Sequence, residues 1–501
     1  MLTEWCIDLL GTDSQQPVAG SQGLPRSSIQ SSILTPSQRI SRQLAAIRNK
    51  SAEASGRLLS VPGEASATGL GIRKRCVKPR IRIDGHRPNF LLVDLERALG
   101  VRMSTIFFSV GEPSGDQHAA RLANELQRID PQINLRGFGG PAMQTAGCQI
   151  DSDLTQHAVV GVLEVLPKLR DFFALADQAE AVFQQEQIDA VVLVDFPGFN
   201  WHIAKRAKKY GIPVYYYCPP QLWAWAGWRI NKMRRRVDHV LAVLPVEQEY
   251  FQRHQIPCTY VGHPFFDAVQ QHPLDKQVLN QFNSIADRGQ HLVAVLPGSR
   301  DHEVRKNWPV MLDSIRRLHS QYPDARFLVA AYRDQQCQWC RDQLQESDFA
   351  IPLEFFVGRA SEVIQASRCA MMVSGSVSLE MMARRTPAAV LYRVGRLLHL
   401  LAKLLVRIDS VTLPNLMDRR KVFPEYISVG SPQPASEFLT ESIGAMLGDP
   451  FYFSRLSRQL DELCRQHAKP GASARAAEEI ARLMNLCPSF SPHADSSKRV
   501  A

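Results

Sequence analysis

Short apolar runs alternate with segments of helical periodicity along most of the chain, and the alternation begins abruptly near residue 104. The runs at 105–110, 188–194 and 213–218 are rich in β-branched and aromatic residues. Such runs are typical of strands buried on both faces of a parallel sheet. Each leads into a turn and then a helical pattern. We therefore predict a Rossmann-like, doubly wound α/β domain over residues 104–275.

The alternation resumes after a polar stretch at residues 272–289, which we predict to be a linker with one short helix. Further apolar runs indicate buried strands at 291–296, 325–331, 353–356, 369–373 and 388–391. The pattern predicts a second doubly wound domain over residues 290–449. Within it, the segment 422–427 indicates a short loop and helix facing the cleft between the domains.

The ends of the chain differ from this middle part. Residues 450–486 have helical periodicity, and we predict helices that pack back across the domains. Residues 1–102 are largely Ser, Gln, Gly, Ala and Pro with few aromatic residues, a composition that cannot bury a core. We predict a disordered, dispensable extension, for which a misassigned start is one explanation. Residues 487–501 are predicted to be a disordered tail.

Composition and charge narrow the function only slightly. Hydrophobic residues make up 45% and charged residues 22% of the chain, as in ordinary globular proteins. The net charge of +10 fits anionic ligands, a membrane surface or nucleic acid, and decides between none of them. No run reaches the ~18 apolar residues that cross a bilayer.

Cys337 and Cys340 form a CxxC within a predicted helix, and no second Cys/His pair has zinc-ligand spacing, so we predict no metal site.

Polar residues follow several of the predicted strands. Asp195 follows the strand at 188–194, at the sheet edge where ligands bind in open α/β folds. There it could act as a general base, or it could cap the next helix. Arg300 follows another strand, and its planar fork suits a phosphate.

The stretch Ser374-Gly-Ser-Val-Ser-Leu-Glu380 joins a strand to a helix. Small residues such as Ser374, Gly375 and Ser376 let a phosphate approach the free N–H groups at a helix start. Glu380 could accept a hydrogen bond from a ribose hydroxyl. The alternative is an ordinary helix start capped by serine.

Three segments allow either a structural or a surface role. Residues 158–173 and 393–407 are apolar or strongly amphipathic, so each is either a packed helix or a segment that contacts lipid. Residues 219–236 combine tryptophans with Arg and Lys. This segment could bind phosphates, stack on sugars or bases, or lie at a membrane interface.

Taken together, the motifs resemble the lipid-A-disaccharide synthase family over roughly residues 104–486. The residues that carry the resemblance are Gly111-Glu-Pro-Ser-Gly-Asp116, Gly139-Gly-Pro-Ala-Met143, Asp195-Phe-Pro-Gly-Phe-Asn200, Gln221-Leu-Trp-Ala-Trp225, Val261-Gly-His-Pro264, Leu296-Pro-Gly-Ser-Arg300, Ser374 to Glu380, Tyr392-Arg393 and Thr412-Leu-Pro-Asn415. The resemblance implies a GT-B arrangement of the two domains, with no metal and no cofactor. The chain departs from the family pattern at Pro113 and Val377, among other positions, which bears on acyl-chain fit.

The resemblance also implies a reaction and roles for particular residues. UDP-2,3-diacylglucosamine would donate its sugar, with inversion, to the 6-hydroxyl of 2,3-diacylglucosamine 1-phosphate (lipid X). Asp195 would be the general base, and Glu112 a second catalytic residue. Ser114 would bind the acceptor, and Asn200 would orient the Asp195 loop on the acceptor side. Binding of UDP and the donor sugar would fall to Arg300, Ser374, Gly375, Ser376, Glu380, Tyr392, Arg393 and Asn415.

Because both substrates carry acyl chains, we expect a peripheral contact with the cytoplasmic face of the inner membrane, and a homodimer is compatible with this. Two alternatives stay open. One is another GT-B enzyme with a UDP-N-acetylglucosamine-type donor, either a transferase or a 2-epimerase. The other is a non-catalytic basic protein that binds nucleic acid or membrane. No nucleic-acid-binding motif is present, so we expect no nucleic acid partner.

Overall fold

A computed structural model describes most of the chain from residue 103 onward. The described ranges are 103–157, 169–225, 227–396, 410–418 and 420–486. The predictions for the extension at 1–102, for the tail at 487–501, and for most of the segments at 158–173 and 393–407 concern residues outside these ranges.

The first half of the described chain is built on a seven-stranded parallel sheet. Its strands are β1 (Thr105–Val110), β2 (Asn134–Gly139), β3 (Gln149–Asp153), β4 (Ala190–Val194), β5 (Val214–Tyr217), β6 (His239–Ala242) and β7 (Cys258–Tyr260). The strand order is β3-β2-β1-β4-β5-β6-β7. Its helices are α1 (Pro113–Ile129), α2 (Pro141–Thr145), α3 (Leu169–Gln185), α4 (Pro197–Lys209), α5 (Ile230–Arg236), α6 (Pro245–Arg253) and α7 (Phe265–Gln271).

The second half repeats the plan with six parallel strands. These are β8 (His291–Leu296), β9 (Ala325–Ala331), β10 (Leu353–Val357), β11 (Cys369–Val373), β12 (Ala388–Val394) and β13 (Glu425–Val429), in the order β10-β9-β8-β11-β12-β13. The helices from the linker onward are α8 (Lys276–Ala286), α9 (Asp301–Gln321), α10 (Asp334–Asp342), α11 (Ala360–Ala366), α12 (Val377–Arg384), α13 (Leu413–Asp418), α14 (Gln433–Gly448), α15 (Pro450–His467) and α16 (Ala472–Leu483).

The apolar runs form strands because both of their faces are buried. On β1, Ile106 and Phe108 pack into one hydrophobic cluster, and Phe107 between them packs into another on the opposite face. The first of these clusters continues into the second half, where it includes Val293 of β8. The predicted fold class, two Rossmann-like doubly wound units, is confirmed.

Two edge strands depart from the predictions. The segment 422–427 was predicted to be a loop and helix, but Glu425 begins β13, which pairs in parallel with β12. The strand β3 was not predicted at all, because its sequence, QIDSD, has only one apolar residue. A strand at the edge of a sheet has one neighbour and a partly solvated face, so it does not require an apolar run.

The C-terminal helices contact both halves. Helix α15 packs against α12 and α14, whereas α16 packs along α1 of the first half. Asp267 of α7 accepts hydrogen bonds from the backbone N–H groups of Gly471, Ala472 and Ser473 at the start of α16. A carboxylate at this position satisfies free donors and complements the helix dipole. In the described part of the chain, no helix has the length and apolarity required to traverse a bilayer.

Candidate functional site

In each sheet the strand order reverses at one pair of adjacent strands, and most of the predicted site residues lie after these strands. In the first sheet the pair is β1 and β4, and in the second it is β8 and β11. The helices after two such strands lie on opposite faces of the sheet, which opens a crevice between the loops. Glu112 and Asp195 follow one pair, and Arg300 and Ser374 follow the other.

The two loops of the first sheet touch each other. A Cβ atom on Gly111 would lie 2.2 Å from the ring of Phe196, so the approach of this ring requires glycine at position 111. The contact brings the loop containing Glu112 and Ser114 against the loop containing Asp195. Glu112 is half-buried at the start of α1, and Ser114 is exposed.

Asp195 has an unusual backbone conformation. Its φ angle is 48° and that of Phe196 is 45°, so two successive non-glycine residues are left-handed. Such residues cost on the order of 1–3 kcal/mol each and cluster at functional sites. The carbonyl of Asp195 accepts hydrogen bonds from Nδ2 of Asn200 at 2.7 Å and from the Tyr216 hydroxyl at 2.8 Å. These bonds hold the loop in the strained conformation.

Asn200 lies beneath the loop and does not face the crevice. Its side chain is 0% exposed. Its Oδ1 accepts a hydrogen bond from Oγ of Ser109 at 2.6 Å, so the amide ties β1 to the Asp195 loop. An amide with no exposed surface can orient the Asp195 loop, as predicted, but it cannot itself contact the acceptor.

A cavity of about 240 Å³ opens beside Asp195. Its walls include Trp225, Glu247 and His263 from the first half, and Leu413 of α13 closes it from the second half. The sequence assigns no role to Glu247. It shows only a carboxylate in the first turn of a helix that follows a strand, and a residue that caps the helix would look the same.

Glu247 is a buried carboxyl group next to the candidate base. It accepts hydrogen bonds from the backbone N–H groups of Val243 at 2.9 Å and Leu244 at 3.0 Å. Burial, and secondarily the negative charge of Asp195, raise the pKa of Glu247 to about 8. Burial and the neighbouring charge of Asp195 thus both favour the protonated form of the Glu247 carboxyl group.

His118 of α1 and His263, which lines the cavity, form a largely buried pair with ring centroids 6.1 Å apart. Burial lowers the pKa of His118 to about 4 and that of His263 to about 3. Both are therefore neutral in the folded protein at neutral pH. Nδ1 of His263 accepts a hydrogen bond from the backbone N–H of Phe265 at 3.2 Å, which places the proton of the neutral ring on Nε2.

We expect His118→Phe to reduce the acid sensitivity of the fold. A histidine whose pKa is lowered in the folded state binds its proton more readily when unfolded, so stability falls as the pH drops below about 6.5 towards about 4. For His118 the loss between pH 7 and pH 5 is about 2 kcal/mol. Urea unfolding of the wild type and the variant at both pH values measures this difference. Equal losses in the two proteins would contradict it.

In the second sheet, the loop after β8 presents Arg300. Gly298 has a φ angle of 135°, and a Cβ atom there would lie 2.6 Å from Cβ of Glu303, so the turn requires glycine. The Glu303 carboxylate accepts hydrogen bonds from the backbone N–H groups of Ser299 and Arg300. The Arg300 side chain is 54% exposed, and its Nη1 lies 3.1 Å from Oε1 of Glu303. The loop is thus fixed from inside while the guanidinium faces solvent.

The neighbouring loop after β11 leaves small residues open. Gly375 and Ser376 are exposed, and the Ser374 hydroxyl donates to the carbonyl of Val411 at 3.1 Å. One oxygen of Glu380 accepts hydrogen bonds from Oγ of Ser361 at 2.6 Å and Nε of Arg384 at 2.8 Å. The hydroxyl of Ser374 is therefore already in use, whereas the backbone at 375–376 is accessible.

The described residues give no packing reason for glycine at position 375. Apart from its two chain neighbours, none of them has an atom within 4 Å of a Cβ atom built there. We expect Gly375→Ala to leave the free energy of unfolding within about 0.5 kcal/mol of wild type. We also expect it to weaken the binding of UDP, the ligand that the family resemblance implies, because the methyl group would occupy the space that we expect a phosphate to fill. Gly298→Ala is the contrast, and we expect it to destabilise the fold by more than about 1 kcal/mol.

Isothermal titration with UDP and urea unfolding of both variants measure these two effects separately. Unchanged UDP affinity in Gly375→Ala would show that no ligand approaches this backbone.

Two residues predicted to bind the sugar donor instead make hydrogen bonds within the protein. Asn415 is 1% exposed, its Nδ2 donates to the carbonyl of Phe423 at 2.8 Å and to Glu425, and its Oδ1 accepts from the backbone N–H of Phe423 at 2.9 Å. Arg393 donates to the carbonyls of Lys306 at 2.6 Å and Gly430 at 3.2 Å. The predicted ligand contact of Asn415 is corrected to a positioning role, because its amide is buried and fully hydrogen-bonded.

Tyr392, the remaining residue predicted to bind the sugar donor, is half-buried near the Arg300 loop. Burial raises the pKa of its hydroxyl, and the charges of Glu303 and Arg300 act on it as well. In the described residues, no group of three or more His, Cys, Asp or Glu side chains is arranged to hold a metal ion. The first half thus presents a carboxylate loop at its sheet edge, and the second half presents an exposed arginine and an accessible stretch of backbone at its own.

Comparison with known proteins identifies the family of the chain. The model of the family described as lipid-A-disaccharide synthetase matches residues 106–441. The lipid-A-disaccharide synthase of Syntrophus aciditrophicus (strain SB) is 34% identical over 372 residues, covering 74% of this chain and 96% of that protein. That of Coxiella burnetii (strain CbuG_Q212) is 30% identical over 380 residues, covering 76% and 98%.

Among solved structures, UDP-GlcNAc 2-epimerase from Neisseria meningitidis bound to UDP-GlcNAc superposes with a TM-score of 0.51 at 14% identity, covering 76% of this chain and 99% of that chain. This likeness shows the GT-B fold, and the sequence matches assign the family within it. The chain belongs to the lipid-A-disaccharide synthase family of glycosyltransferases.

Proposed function

We propose that the protein transfers the 2,3-diacylglucosamine unit of UDP-2,3-diacylglucosamine to the 6-hydroxyl of lipid X. The products are the β-1,6-linked disaccharide 1-phosphate and UDP. The observation that supports this best is that both sheets carry polar groups where their strand order reverses. A strained carboxylate loop follows this point in one half, and an exposed arginine follows it in the other.

Asp195 is the general base in this proposal. As the 6-hydroxyl oxygen of the acceptor attacks the anomeric carbon, the proton of that hydroxyl passes to the Asp195 carboxylate. The bond between the anomeric carbon and the UDP oxygen breaks on the opposite side, and its electron pair leaves with UDP. One displacement of this kind inverts the anomeric configuration. Glu112 and Ser114, on the loop that touches the Asp195 loop, orient the acceptor.

The leaving diphosphate is stabilised from the second half. The exposed guanidinium of Arg300 and the backbone at Gly375 and Ser376 bind its oxygens, while the Ser374 hydroxyl fixes the loop. The second carboxylate oxygen of Glu380 accepts from the ribose. Arg393 stabilises the loops around the UDP-sugar through its hydrogen bonds to the carbonyls of Lys306 and Gly430. Tyr392 lies next to the UDP-sugar.

Both substrates carry acyl chains, so the enzyme works at a membrane surface, on the cytoplasmic face of the inner membrane. A contact with anionic lipid fits the net charge of +10. A homodimer stays a prediction, which light scattering of the purified protein in detergent tests.

Incubation of the protein with UDP-2,3-diacylglucosamine and lipid X tests the proposed reaction. We expect equimolar UDP and a tetraacyl disaccharide 1-phosphate, measured by mass spectrometry. The shared fold with a UDP-GlcNAc 2-epimerase defines the competing outcome. Conversion of UDP-GlcNAc alone, with no disaccharide formed from the acylated pair, would contradict the proposal.

A further inference from the structure

A cationic surface with an exposed tryptophan lies beside the cavity. The short 3-10 turn Gly227–Arg229 runs into α5. Arg229, Ile230 and Met233 are buried on one side of this segment, whereas Trp228, Arg234 and Arg235 are exposed on the other. The Trp228 side chain is 53% exposed. Its exposure has no explanation in the packing of the first half.

Arg234 and Arg235 contact only uncharged oxygens. Arg234 donates to Oδ1 of Asn231 at 2.8 Å and to the carbonyl of His254 at 3.1 Å, and Arg235 donates to the carbonyl of Asn231 at 3.1 Å. Neither makes an ion pair with a carboxylate among the described residues.

The cations at the end of the adjacent helix α4 differ in this respect. Arg206 lies 2.6 Å from Asp177, Lys208 lies 2.7 Å from Asp238, and Lys209 lies 2.6 Å from Glu180. Their charge is locally balanced, whereas that of Arg234 and Arg235 is not balanced by a carboxylate among the described residues.

This surface is continuous with the cavity that contains Asp195. Trp225 lines the cavity, and its ring centroid lies 6.4 Å from that of Trp228. The guanidinium of the buried Arg229 lies 4.9 Å over the Trp225 ring. The two neighbouring indole rings of Trp225 and Trp228 therefore connect the cavity with the exposed surface of this segment.

We propose that Trp228, Arg234 and Arg235 form the surface that docks on an anionic bilayer and brings the cavity to the acyl-bearing acceptor. The inference rests on the membrane contact in the proposed function. Indole rings are favoured at the boundary between headgroups and acyl chains. Arginines without carboxylate partners are attracted to anionic headgroups, and each adds to the binding.

The test is flotation with vesicles of phosphatidylcholine containing one quarter phosphatidylglycerol. The variant Trp228→Gln/Arg234→Gln/Arg235→Gln is compared with wild type. We expect its partition onto the vesicles to fall by about tenfold or more. The matched control is Phe451→Gln/Arg455→Gln/Arg458→Gln on α15, which also removes one exposed aromatic ring and two exposed arginines. We expect the control to bind as wild type.

The outcomes separate this inference from the membrane contact on which it rests. Wild type that fails to float would overturn the membrane contact and this surface with it. Wild type and the Trp228 variant floating equally would overturn the surface alone. A variant that binds vesicles normally but loses binding to a short single-stranded oligonucleotide would identify a nucleic-acid surface instead. Turnover on detergent-dispersed substrates, unchanged in the variant, verifies that the site is intact.

Discussion

We expect Asp195→Asn to lower kcat by about 10²- to 10⁴-fold, the contribution typical of a general base. Asparagine is the informative substitution because residue 195 has a φ angle of 48°. Asparagine tolerates the left-handed region, whereas alanine there adds backbone strain that would confuse loss of the base with loss of the loop. The amide keeps the shape of the carboxylate but cannot accept the proton from the acceptor hydroxyl.

The UDP affinity of the Asp195→Asn variant separates the two halves of the site. Because the second half is proposed to bind the diphosphate, UDP should bind this variant as it binds wild type in isothermal titration. The control is Asp287→Asn, an exposed carboxylate after α8. Turnover of Asp195→Asn close to that of the control would remove Asp195 from the mechanism.

Arg300→Gln should have the complementary effect and weaken the binding of UDP. A charge-assisted hydrogen bond contributes about 2 kcal/mol, so the Kd should rise about thirtyfold. The rate should fall as well, since negative charge builds up on the leaving diphosphate between the ground state and the transition state. Arg300→Lys keeps the charge without the planar fork, and we expect an intermediate Kd.

The exposure of its side chain makes Arg300 a suitable position for this test. Its 54% exposure means that the substitution removes no buried contact, apart from the salt bridge with Glu303. Arg288→Gln, at an exposed position after α8, changes the net charge equally and should leave the Kd unchanged. A wild-type Kd in Arg300→Gln would contradict the proposed diphosphate site.

The sequence predicts the central strands and the switch-point loops well, because both follow from local rules. Strands buried on two faces need continuous apolar runs, and β4 and β11 have them. Ligand loops follow the carboxyl ends of such strands, so Asp195 and Ser374 could be located before the sheet order was known. The edge strands β3 and β13 lack this signature, since one side of each has no neighbouring strand.

The burial of Asn200 and Asn415 could not be predicted from the sequence, although the family resemblance implied an orienting role for Asn200. An amide that binds a ligand and an amide that holds a loop have the same chemistry, and only burial distinguishes them. Asn200 receives its hydrogen bond from Ser109, 91 residues away, and this contact exists only once β1 and β4 are neighbours. The cavity wall formed by Glu247 and His263 likewise depends on the order of β5, β6 and β7.

The stereochemistry of the product distinguishes the proposed single displacement from other mechanisms. In that displacement at the anomeric carbon, Asp195 takes the proton on one side and UDP leaves from the other. Proton NMR of the disaccharide formed from UDP-2,3-diacylglucosamine and lipid X reports the configuration of the new linkage. We predict a β-1,6 linkage, inverted relative to the α-linked donor. An α linkage would contradict the account, because retention requires a different arrangement of groups around the donor.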